Sequence, residues 1–447
     1  MGLGGLTATA DRIVPTGRRS RFISEDWDAG VFRVHRDAFR SREVFDAELH
    51  ALWGKCWLYL GHTSELERPC DFKLRRVGGR QLIFLRDVHG AIRAFYNSCP
   101  HRGTAVCREE EGNSKHLRCF YHAWTFDTEG CLISLPSPDA YPSDSGFRER
   151  LGLRPVAQLD VFRDFVFVCF DEQAPPLADY LGPAADYFAL VDEQSPEGVR
   201  AIPGAQRYRA RANWKLLVEN AMDGYHFAPS HVTFLEYLKR TGTTTSDTGN
   251  SVTFCGRHLG SVQPNHGGRI GLSWEPRFGV EEKERIERNR AEIFGRLGDE
   301  RGRYLTDGFK VLYFLPNLIL FDIESVSVRM LEPVAPDLTE VTAWALAPRN
   351  EDPESTGLRL KTLVSFIGPG GLATPDDLEA QEAIQRGIVS TAGDTREGVD
   401  WNDVSRGMAE ELRGDPVLSA NDEAGIRHFW RTWDDAVSAQ LASDAGT

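Results

Sequence analysis

The amino-acid sequence predicts an α+β protein in which a small all-β region interrupts a larger domain of helices and antiparallel strands. Apolar residues at helical spacing predict a helix across residues 44–60. From about residue 70 to residue 172, short apolar or alternating runs are separated by Gly and Asp turns, which is typical of an all-β domain. Residues 207–235 have a helical pattern, and strand patterns return across residues 310–346. A chain of 447 residues is long enough for two or three domains.

The second half of the chain adds further elements to this outline. Residues 240–275 are rich in Thr, Ser, Asn and Gly and predict a mobile flap. The charged residues across 281–297 predict a helix with a solvated face, and another helix is expected to begin near Asp376. The acidic tail beyond residue 397 is expected to be anchored by three aromatic residues, Phe429, Trp430 and Trp433.

Composition and charge argue against several classes of function. The formal net charge of -14 would repel a phosphate backbone, so nucleic acid is not an expected partner. No apolar run approaches the roughly 18 residues that a membrane span needs, and the basic residues 1–21 lack the apolar stretch of a secretory signal. We therefore expect a cytoplasmic protein, in which disulfides are not the expected role of the eight cysteines.

Two Cys–His pairs in the all-β region form the first candidate metal site. Cys99 is followed by His101, and Cys119 is followed by His122. Two thiolates on one iron and two imidazoles on the other are the ligands of a Rieske [2Fe–2S] cluster. A zinc finger usually pairs Cys with Cys and His with His at other spacings, so structural zinc is the weaker alternative, as is a chance grouping of four unrelated residues.

A second candidate metal site lies in the stretch 213–231. Asp223 and His226 are three residues apart and would share a helix face, and His231 follows Pro229, which is expected to end the helix. Two His residues and one carboxylate form the facial triad that holds Fe(II) and leaves positions open, and a carboxylate beside a ligating His usually orients it. The alternative is a polar helix end with satisfied His side chains.

The third iron ligand has to come from another part of the chain. Thr374, Pro375, Asp376 and Asp377 have the pattern of a helix start, with Thr374 as the N-cap and Pro375 at the first helical position. Acidic residues are common at helix N-termini, so on this evidence Asp377 is either a helix cap or an iron ligand.

Taken together, these motifs resemble the large (alpha) subunits of Rieske non-haem iron aromatic ring-hydroxylating dioxygenases. The resemblance extends over about residues 30–395. The segments that carry it are 99–103, 119–124, 213–231 and 366–377. In that family the second Asp of the last segment binds iron, so the resemblance favours Asp377 as the ligand, with Asp376 as the alternative.

The resemblance also implies a domain organisation. It implies an all-β Rieske domain inserted in a helix-grip catalytic domain, in which a curved antiparallel sheet packs with helices. The implied divisions are an N-terminal segment, 1–52, that packs on the catalytic domain, the Rieske [2Fe–2S] domain, 53–172, and the catalytic mononuclear iron domain, 173–447.

Two cofactors per subunit follow from the same resemblance. The implied [2Fe–2S] cluster is bound by Cys99, His101, Cys119 and His122. The implied Fe(2+) is bound by His226, His231 and Asp377.

The implied activity belongs to a multicomponent system. Electrons from NAD(P)H arrive through a reductase, a ferredoxin or both, and pass from the Rieske cluster to the iron. Both atoms of O₂ then add to adjacent carbons of an aromatic ring to give a cis-dihydrodiol. The sequence contains neither a P-loop nor a Gly-x-Gly-x-x-Gly fingerprint, which agrees with a separate reductase. The implied assembly contains three large subunits, with or without three small beta subunits.

Asp223 has a specific role in this scheme. The resemblance implies that the cluster of one subunit lies beside the iron of the next. Asp223 is then expected to be catalytic, because it accepts a hydrogen bond from His226 and reaches the partner subunit's His122. The alternative is that Asp223 only caps the helix or orients His226 within its own chain.

The substrate class is the least determined part of the prediction. Residues 368–377 look most like those of members that act on aromatic carboxylates of the cumate, phthalate or benzoate type. A carboxylate is usually bound by Arg, and Arg329, Arg257 and Arg386 are the candidates, with a surface or packing role as the alternative for each. A Rieske monooxygenase, either a hydroxylase or a demethylase, shares the metals. An electron-transfer Rieske protein is a different class and leaves residues 213–231 unexplained.

Overall fold

The structure is a computed structural model that describes residues 19–141, 146–243, 251–263, 268–413 and 418–446. The chain divides into two compact units, of which one is Trp53–Tyr180 and the other combines the segments before and after it. The predicted α+β class, with an all-β domain inserted in a domain of helices and antiparallel strands, is confirmed.

The N-terminal segment packs on the C-terminal helix of the larger unit. Its elements are β1 (Ile23–Asp26), β2 (Val31–His35), α1 (Asp37–Arg40) and α2 (Arg42–Ala51). Phe22 lies edge-on to Trp433, and Phe39 lies edge-on to Trp430. These apolar contacts hold the segment against the core of this unit.

The inserted unit consists of three antiparallel sheets. The chain order of its elements is β3 (Leu58–His62), β4 (Asp71–Val77), β5 (Arg80–Arg86), β6 (Ile92–Tyr96), β7 (Glu111–Asn113), β8 (His116–Arg118), β9 (Thr125–Asp127), β10 (Leu132–Ser134), α3 (Phe147–Arg150), β11 (Gln158–Phe162), β12 (Phe165–Cys169) and α4 (Leu177–Leu181). The strand orders are β6-β5-β4-β7, β10-β9-β8 and β11-β12-β3. A buried cluster that includes Ile83, Phe95 and Phe126 forms the core between the first two sheets.

The larger unit is built on an eight-stranded antiparallel sheet. Its strands are β13 (Val199–Ala201), β14 (Gln206–Ala210), β15 (Ser251–Cys255), β16 (His258–Gln263), β17 (Phe309–Phe314), β18 (Leu318–Asp322), β19 (Val326–Ala335) and β20 (Leu338–Pro348). The order is β13-β20-β19-β18-β17-β16-β15, and β14 also pairs with β20. A short strand, β21 (Trp401–Asp403), pairs with β2.

Helices cover this sheet and contribute the rest of the core. They are α5 (Ala185–Asp192), α6 (Trp214–Met222), α7 (Phe227–Ser230), α8 (Val232–Arg240), α9 (Val280–Thr306), α10 (Pro353–Phe366), α11 (Thr374–Val389), α12 (Met408–Arg413) and α13 (Ala424–Ala445). Helix α6 packs on β16, β17 and β19, and α11 packs on α6 and β14. The predicted anchors Phe429, Trp430 and Trp433 are buried on α13.

Two element predictions are wrong. The helix predicted across 44–60 ends with α2 at Ala51, and the fully buried run Leu58–His62 pairs with β12 as a strand instead. Part of the predicted flap is regular structure, because β15 and β16 extend the main sheet, although residues 244–250 and 264–267 lie outside the described residues. Within the described residues, no helix combines the length and the apolar character that a membrane crossing requires.

Candidate metal centres

The two Cys–His loops of the inserted unit have matching backbone hydrogen bonds. In the first loop, the amide of Cys99 donates to Thr104 O and the amide of Gly103 donates to Cys99 O. In the second loop, the amide of Cys119 donates to Trp124 O and the amide of Ala123 donates to Cys119 O. Gly103 and Ala123 both have positive φ, 75° and 57°. The two loops therefore make the same tight turn, and each holds its Cys at the start of the turn.

The four predicted cluster ligands lie at the tip of these loops. Cys99 and Cys119 are both buried, and their sulfur atoms lie close enough to interact. The rings of His101 and His122 are 4.6 Å apart between centroids and are partly exposed. Burial and the nearby Cys119 thiol both raise the pKa of Cys99, while backbone N–H groups from His101 and Arg102 oppose them. A paired thiol set beside a paired imidazole set is the donor chemistry of a Rieske cluster.

Aromatic residues surround the His side of this site. Trp124 stacks on His101 at 4.8 Å between ring centroids, and its indole Nε1 is buried without a hydrogen-bond partner among the described residues. Tyr121 contacts His122, whereas Phe120 and Tyr121 are both more than half exposed. Trp124 therefore covers the His side of the site, and Phe120 lies on the surface against Arg108.

The second site is positioned by α6, α7 and the start of α11. Helix α6 starts at the N-cap Asn213, whose side chain accepts from the amide of Lys215, and ends at Met222 because the backbone of Asp223 is extended. His226 precedes α7, and His231 lies at the junction of α7 and α8. The expectation that Asp223 and His226 share a helix is wrong, as is the expectation that Pro229 ends it, because Pro229 lies inside α7. The two side chains nevertheless meet across the break.

Three side chains converge at this point. One atom each from His226, His231 and Asp377 lies within 4.8 Å of the others. The Nε2 atoms of His226 and His231 lie 3.4 and 3.2 Å from the same oxygen, Oδ1 of Asp377. His231 is buried, and the other two side chains are mostly buried. Two imidazole nitrogens and one carboxylate on one side of a small space fit the facial donor set of Fe(II).

Each His has a second carboxylate on its other ring nitrogen. Nδ1 of His226 lies 3.2 Å from Oδ2 of Asp223, and Nδ1 of His231 lies 3.5 Å from Oδ2 of Asp376. Burial lowers the pKa of His226, but its hydrogen bonds with Asp223 and Asp377 outweigh burial and raise that pKa to about 9. Burial raises the pKa of Asp377, but the two imidazoles outweigh burial and hold it well below its ordinary value.

One residue of this site was not identified from the sequence. The side-chain amide of Asn220 donates to Oδ1 of Asp377 at 3.0 Å and lies 3.3 Å from Nε2 of His226. It contacts both groups on the side where their ligand atoms meet. Asn220 follows Glu219 near the end of α6, and no local pattern in the sequence marks it as part of the site.

The predicted start of α11 needs one correction. Ala373, not Thr374, is the N-cap residue. The hydroxyl of Thr374 donates to Ile367 O and accepts from Arg329 Nη2. Because Thr374 is held in this way, the first turn of α11 is tied to the end of α10 and to β19, one turn before Asp377.

A cleft lies against Asp377. Residues of α6 and α11 form one side of it: Leu217, Asn220, Ala221, Thr374, Asp377, Leu378 and Gln381. Strands of the main sheet form the other side: Tyr208, Ile319, Arg329 and Leu331. This cleft, which has apolar and polar walls, lies beside the three converging side chains and is a suitable place for a ring substrate with a polar substituent.

The three candidate arginines lie in different places. Arg329 lines the cleft. Arg257 is exposed in the turn between β15 and β16, and Arg386 is exposed on α11, where it pairs with Glu379. Of the three, Arg329 alone contributes to the cleft walls given above.

Comparison with known proteins agrees with this architecture. Residues 56–154 match the Rieske [2Fe-2S] domain, and residues 201–439, more than half of the chain, match the ring hydroxylating alpha subunit (catalytic domain). The chain belongs to this family. It is the large subunit of a Rieske ring-hydroxylating dioxygenase and therefore an oxidoreductase with a [2Fe–2S] cluster and a mononuclear iron.

Relatives of this alpha subunit act on different aromatic compounds. The large subunit of 2-halobenzoate 1,2-dioxygenase from Burkholderia cepacia is 31% identical over 400 residues, 88% of this chain and 84% of that protein. The large oxygenase component of the naphthalene 1,2-dioxygenase system from Pseudomonas putida is 30% identical over 437 residues, 93% of each. The crystal structure of naphthalene 1,2-dioxygenase from Rhodococcus sp. bound to indole superposes with a TM-score of 0.76 at 25% identity, over 91% of this chain and 94% of that one.

Proposed function

We propose that this alpha subunit is the terminal oxygenase component that adds both atoms of O₂ to an aromatic carboxylate and gives a cis-dihydrodiol. The observation that carries the proposal is the convergence of His226, His231 and Asp377 beside a cleft that combines apolar and polar walls. When bound, the mononuclear iron supplies the activation of O₂, and the Rieske cluster supplies an electron for it.

The residues of this chain have separate tasks in the proposal. His226, His231 and Asp377 would hold the iron beside the cleft. Asp223 and Asp376 orient the two imidazoles and fix which ring nitrogen is free to bind metal. The four loop residues Cys99, His101, Cys119 and His122 hold the cluster.

The substrate class is supported by the relatives together with the cleft. One relative is named for halobenzoate and another for naphthalene, at nearly equal identity, so identity does not decide between a charged and a neutral ring. The cleft combines apolar side chains with one cationic side chain, that of Arg329. Apolar walls suit the ring, and the cation suits a carboxylate.

The proposal includes separate redox partners and an oligomeric assembly. It contains no P-loop and no Gly-x-Gly-x-x-Gly fingerprint, so electrons from NAD(P)H come from a separate reductase, through a ferredoxin or directly. The assembly contains three large subunits, with or without three small beta subunits, and works in the cytoplasm. In it, Asp223 links His226 to the partner subunit's His122.

Labelled oxygen tests the reaction. The oxygenase, with matched redox partners and ¹⁸O₂, should convert a benzoate-type acid to a cis-dihydrodiol that contains both labelled atoms. Toluene, naphthalene and biphenyl should turn over more slowly. A product with a single labelled oxygen would identify a monooxygenase, and equal or faster turnover of the neutral hydrocarbons would overturn the substrate class.

A further inference from the structure

Arg329 is a half-buried cation that has no acidic partner in the described part of the chain. Its Nη2 donates to Ile367 O at 2.7 Å and to Thr374 Oγ1 at 3.0 Å. Both acceptors are neutral, and its guanidinium lies 4.7 Å from the ring centroid of Phe321. Within the described residues, Nε and Nη1 have no acceptor, and no carboxylate forms an ion pair with this side chain. A partly desolvated cation without a counter-ion is unfavourable, and an anion would relieve this.

The sheet register places Arg329 and four other residues on one face. Arg329 lies opposite Ile319 on β18, and Leu331 follows two positions later, so their side chains point the same way. Leu331 lies opposite Val341, which in turn lies opposite Tyr208 on β14. Paired residues project to the same side of a sheet. Arg329 and Tyr208 therefore line the cleft from the same face of the sheet, with Leu331 and Val341 between them.

A further polar group of this cleft has no partner among the described residues. Tyr208 lines the cleft, and its hydroxyl makes no hydrogen bond within the described residues. This hydroxyl can therefore donate to a bound acceptor.

We propose that Arg329, with Tyr208, binds the carboxylate of the aromatic substrate. This inference rests on the proposed function, and it names the residues that select the substrate class. Nη1 of Arg329 donates one N–H group to the carboxylate, and the Tyr208 hydroxyl donates its O–H group to it. The ring then lies against Leu217, Ile319 and Leu331, toward Asp377.

The same arrangement discriminates against a neutral ring. An uncharged arene in this cleft would remove water from the guanidinium without offering an acceptor. A site whose polar groups are left unpaired rejects the analogue that lacks the matching group. Benzoate is therefore expected to bind more tightly than toluene, which has nearly the same ring and size.

The test measures binding and does not depend on turnover. Dissociation constants for benzoate and toluene are measured by calorimetry on the metal-loaded oxygenase, with the iron content determined for every variant. Arg329→Gln should weaken benzoate binding by about tenfold to hundredfold and leave toluene binding nearly unchanged. Arg329→Lys, which keeps the charge, should restore part of the loss. Arg386→Gln, on the exposed side of α11, is the matched control and should bind benzoate like the wild type.

A second variant covers the case in which Arg329→Gln disturbs Thr374 and the iron. Tyr208→Phe removes only the hydroxyl and should weaken benzoate binding severalfold with full iron content. The proposal is overturned if both variants, with full iron, bind benzoate as tightly as the wild type, or if the wild type binds toluene as tightly as benzoate. Arg329-dependent benzoate binding without any dihydrodiol product would refute the proposed function and leave this inference standing.

Discussion

The two adjacent aspartates at the start of α11 face the same imidazole from opposite sides. Asp377 lies 3.2 Å from Nε2 of His231, and Asp376 lies 3.5 Å from Nδ1 of that ring. Only Asp377 also approaches His226. A metal ligand has to place its donor atom where the other donor atoms converge. The imidazole nitrogen that faces away from the metal instead needs a hydrogen-bond acceptor that orients the ring. This difference is the reason to assign the iron to Asp377 and the orienting role to Asp376.

Asp377→Ala should remove the mononuclear iron and leave the Rieske spectrum intact, because it deletes one of three ligands. Asp376→Ala is the matched neighbour and should weaken iron binding by about 10–100-fold without abolishing it. Iron content after dialysis against a chelator, with the visible spectrum as the internal reference, measures both effects. Full activity of Asp377→Ala would show that Asp377 is a helix cap.

The raised pKa of His226 predicts how iron binding depends on pH. In the metal-free protein this imidazole holds its proton up to a pKa of about 9, well above the ordinary value of roughly 6.5. The proton stabilises the metal-free fold below about pH 6.5, and this contribution is lost as the pH rises through about 9. Since iron has to displace the proton, affinity for Fe(II) should increase toward about pH 9 and then level off.

Anaerobic titration of the metal-free protein with Fe(II) across this range measures that dependence. Asp223→Asn should move the plateau to lower pH, because it removes one of the two hydrogen bonds that raise the pKa. An affinity that stays constant between about pH 6.5 and about pH 9 would contradict the protonated state of His226.

At the scale of elements, helix α6 is held by a buried carboxylate from the N-terminal segment. Glu48 of α2 accepts hydrogen bonds from the indole nitrogens of Trp214 and Trp433 and forms an ion pair with Lys215. Both charged groups are fully buried. Burial lowers the pKa of Lys215, and Glu48 opposes that effect. One carboxylate therefore connects α2, α6 and α13 behind the iron site.

Glu48→Gln should destabilise the protein by about 3–5 kcal/mol, because it leaves the buried Lys215 charge unpaired. Glu43 lies on the same helix as Glu48 and forms an exposed ion pair with Arg21. Glu43→Gln breaks this pair and should lower the free energy of unfolding by no more than about 1 kcal/mol. Chemical denaturation of both variants provides the comparison. Equal stability of the two variants would mean that the buried pair contributes nothing.

Elements whose sequence has a strong local periodicity were predicted, whereas elements that depend on tertiary pairing were not. The strands across residues 309–348 and the charged helix α9 were predicted, because their periodicity is strong. The break after Met222 was assigned to Pro229 instead, because the extended backbone of Asp223 has no residue signature of its own. Strands β15 and β16 were expected to be a flap, because their composition is polar and tertiary pairing overrides it.

The residues of the candidate site were also predictable only where the sequence pattern is local. The cluster ligands and the two His ligands were found from local spacing, but Asp377 was chosen over Asp376 from motif resemblance, since it lies more than a hundred positions from His226 and His231 and carries no local sign of convergence with them. The contact of Asn220 with Asp377 depends on the packing of α11 on α6 and was not predictable from either segment. The choice among Arg329, Arg257 and Arg386 likewise required the sheet register.

At the scale of the whole molecule, the two metal sites belong to different compact units, and Asp223 is proposed to connect them between subunits. Asp223→Asn should keep both metals and the oligomer but lose nearly all turnover, because the amide cannot accept hydrogen bonds as the carboxylate does. The cluster of this variant should still be reducible in rapid-mixing experiments. A near-normal rate of oxygenation would rule out Asp223 as the connection.

The most direct test of the two metal sites is quantitation of iron, zinc and acid-labile sulfide in anaerobically prepared protein, together with its electronic spectrum. The protein should be brown, with about three iron atoms and about two sulfides per chain. Cys99→Ser and Cys119→Ser should lose the sulfide and the visible spectrum together. Zinc without labile sulfide in the wild-type protein would contradict the assignment of a Rieske cluster to these loops.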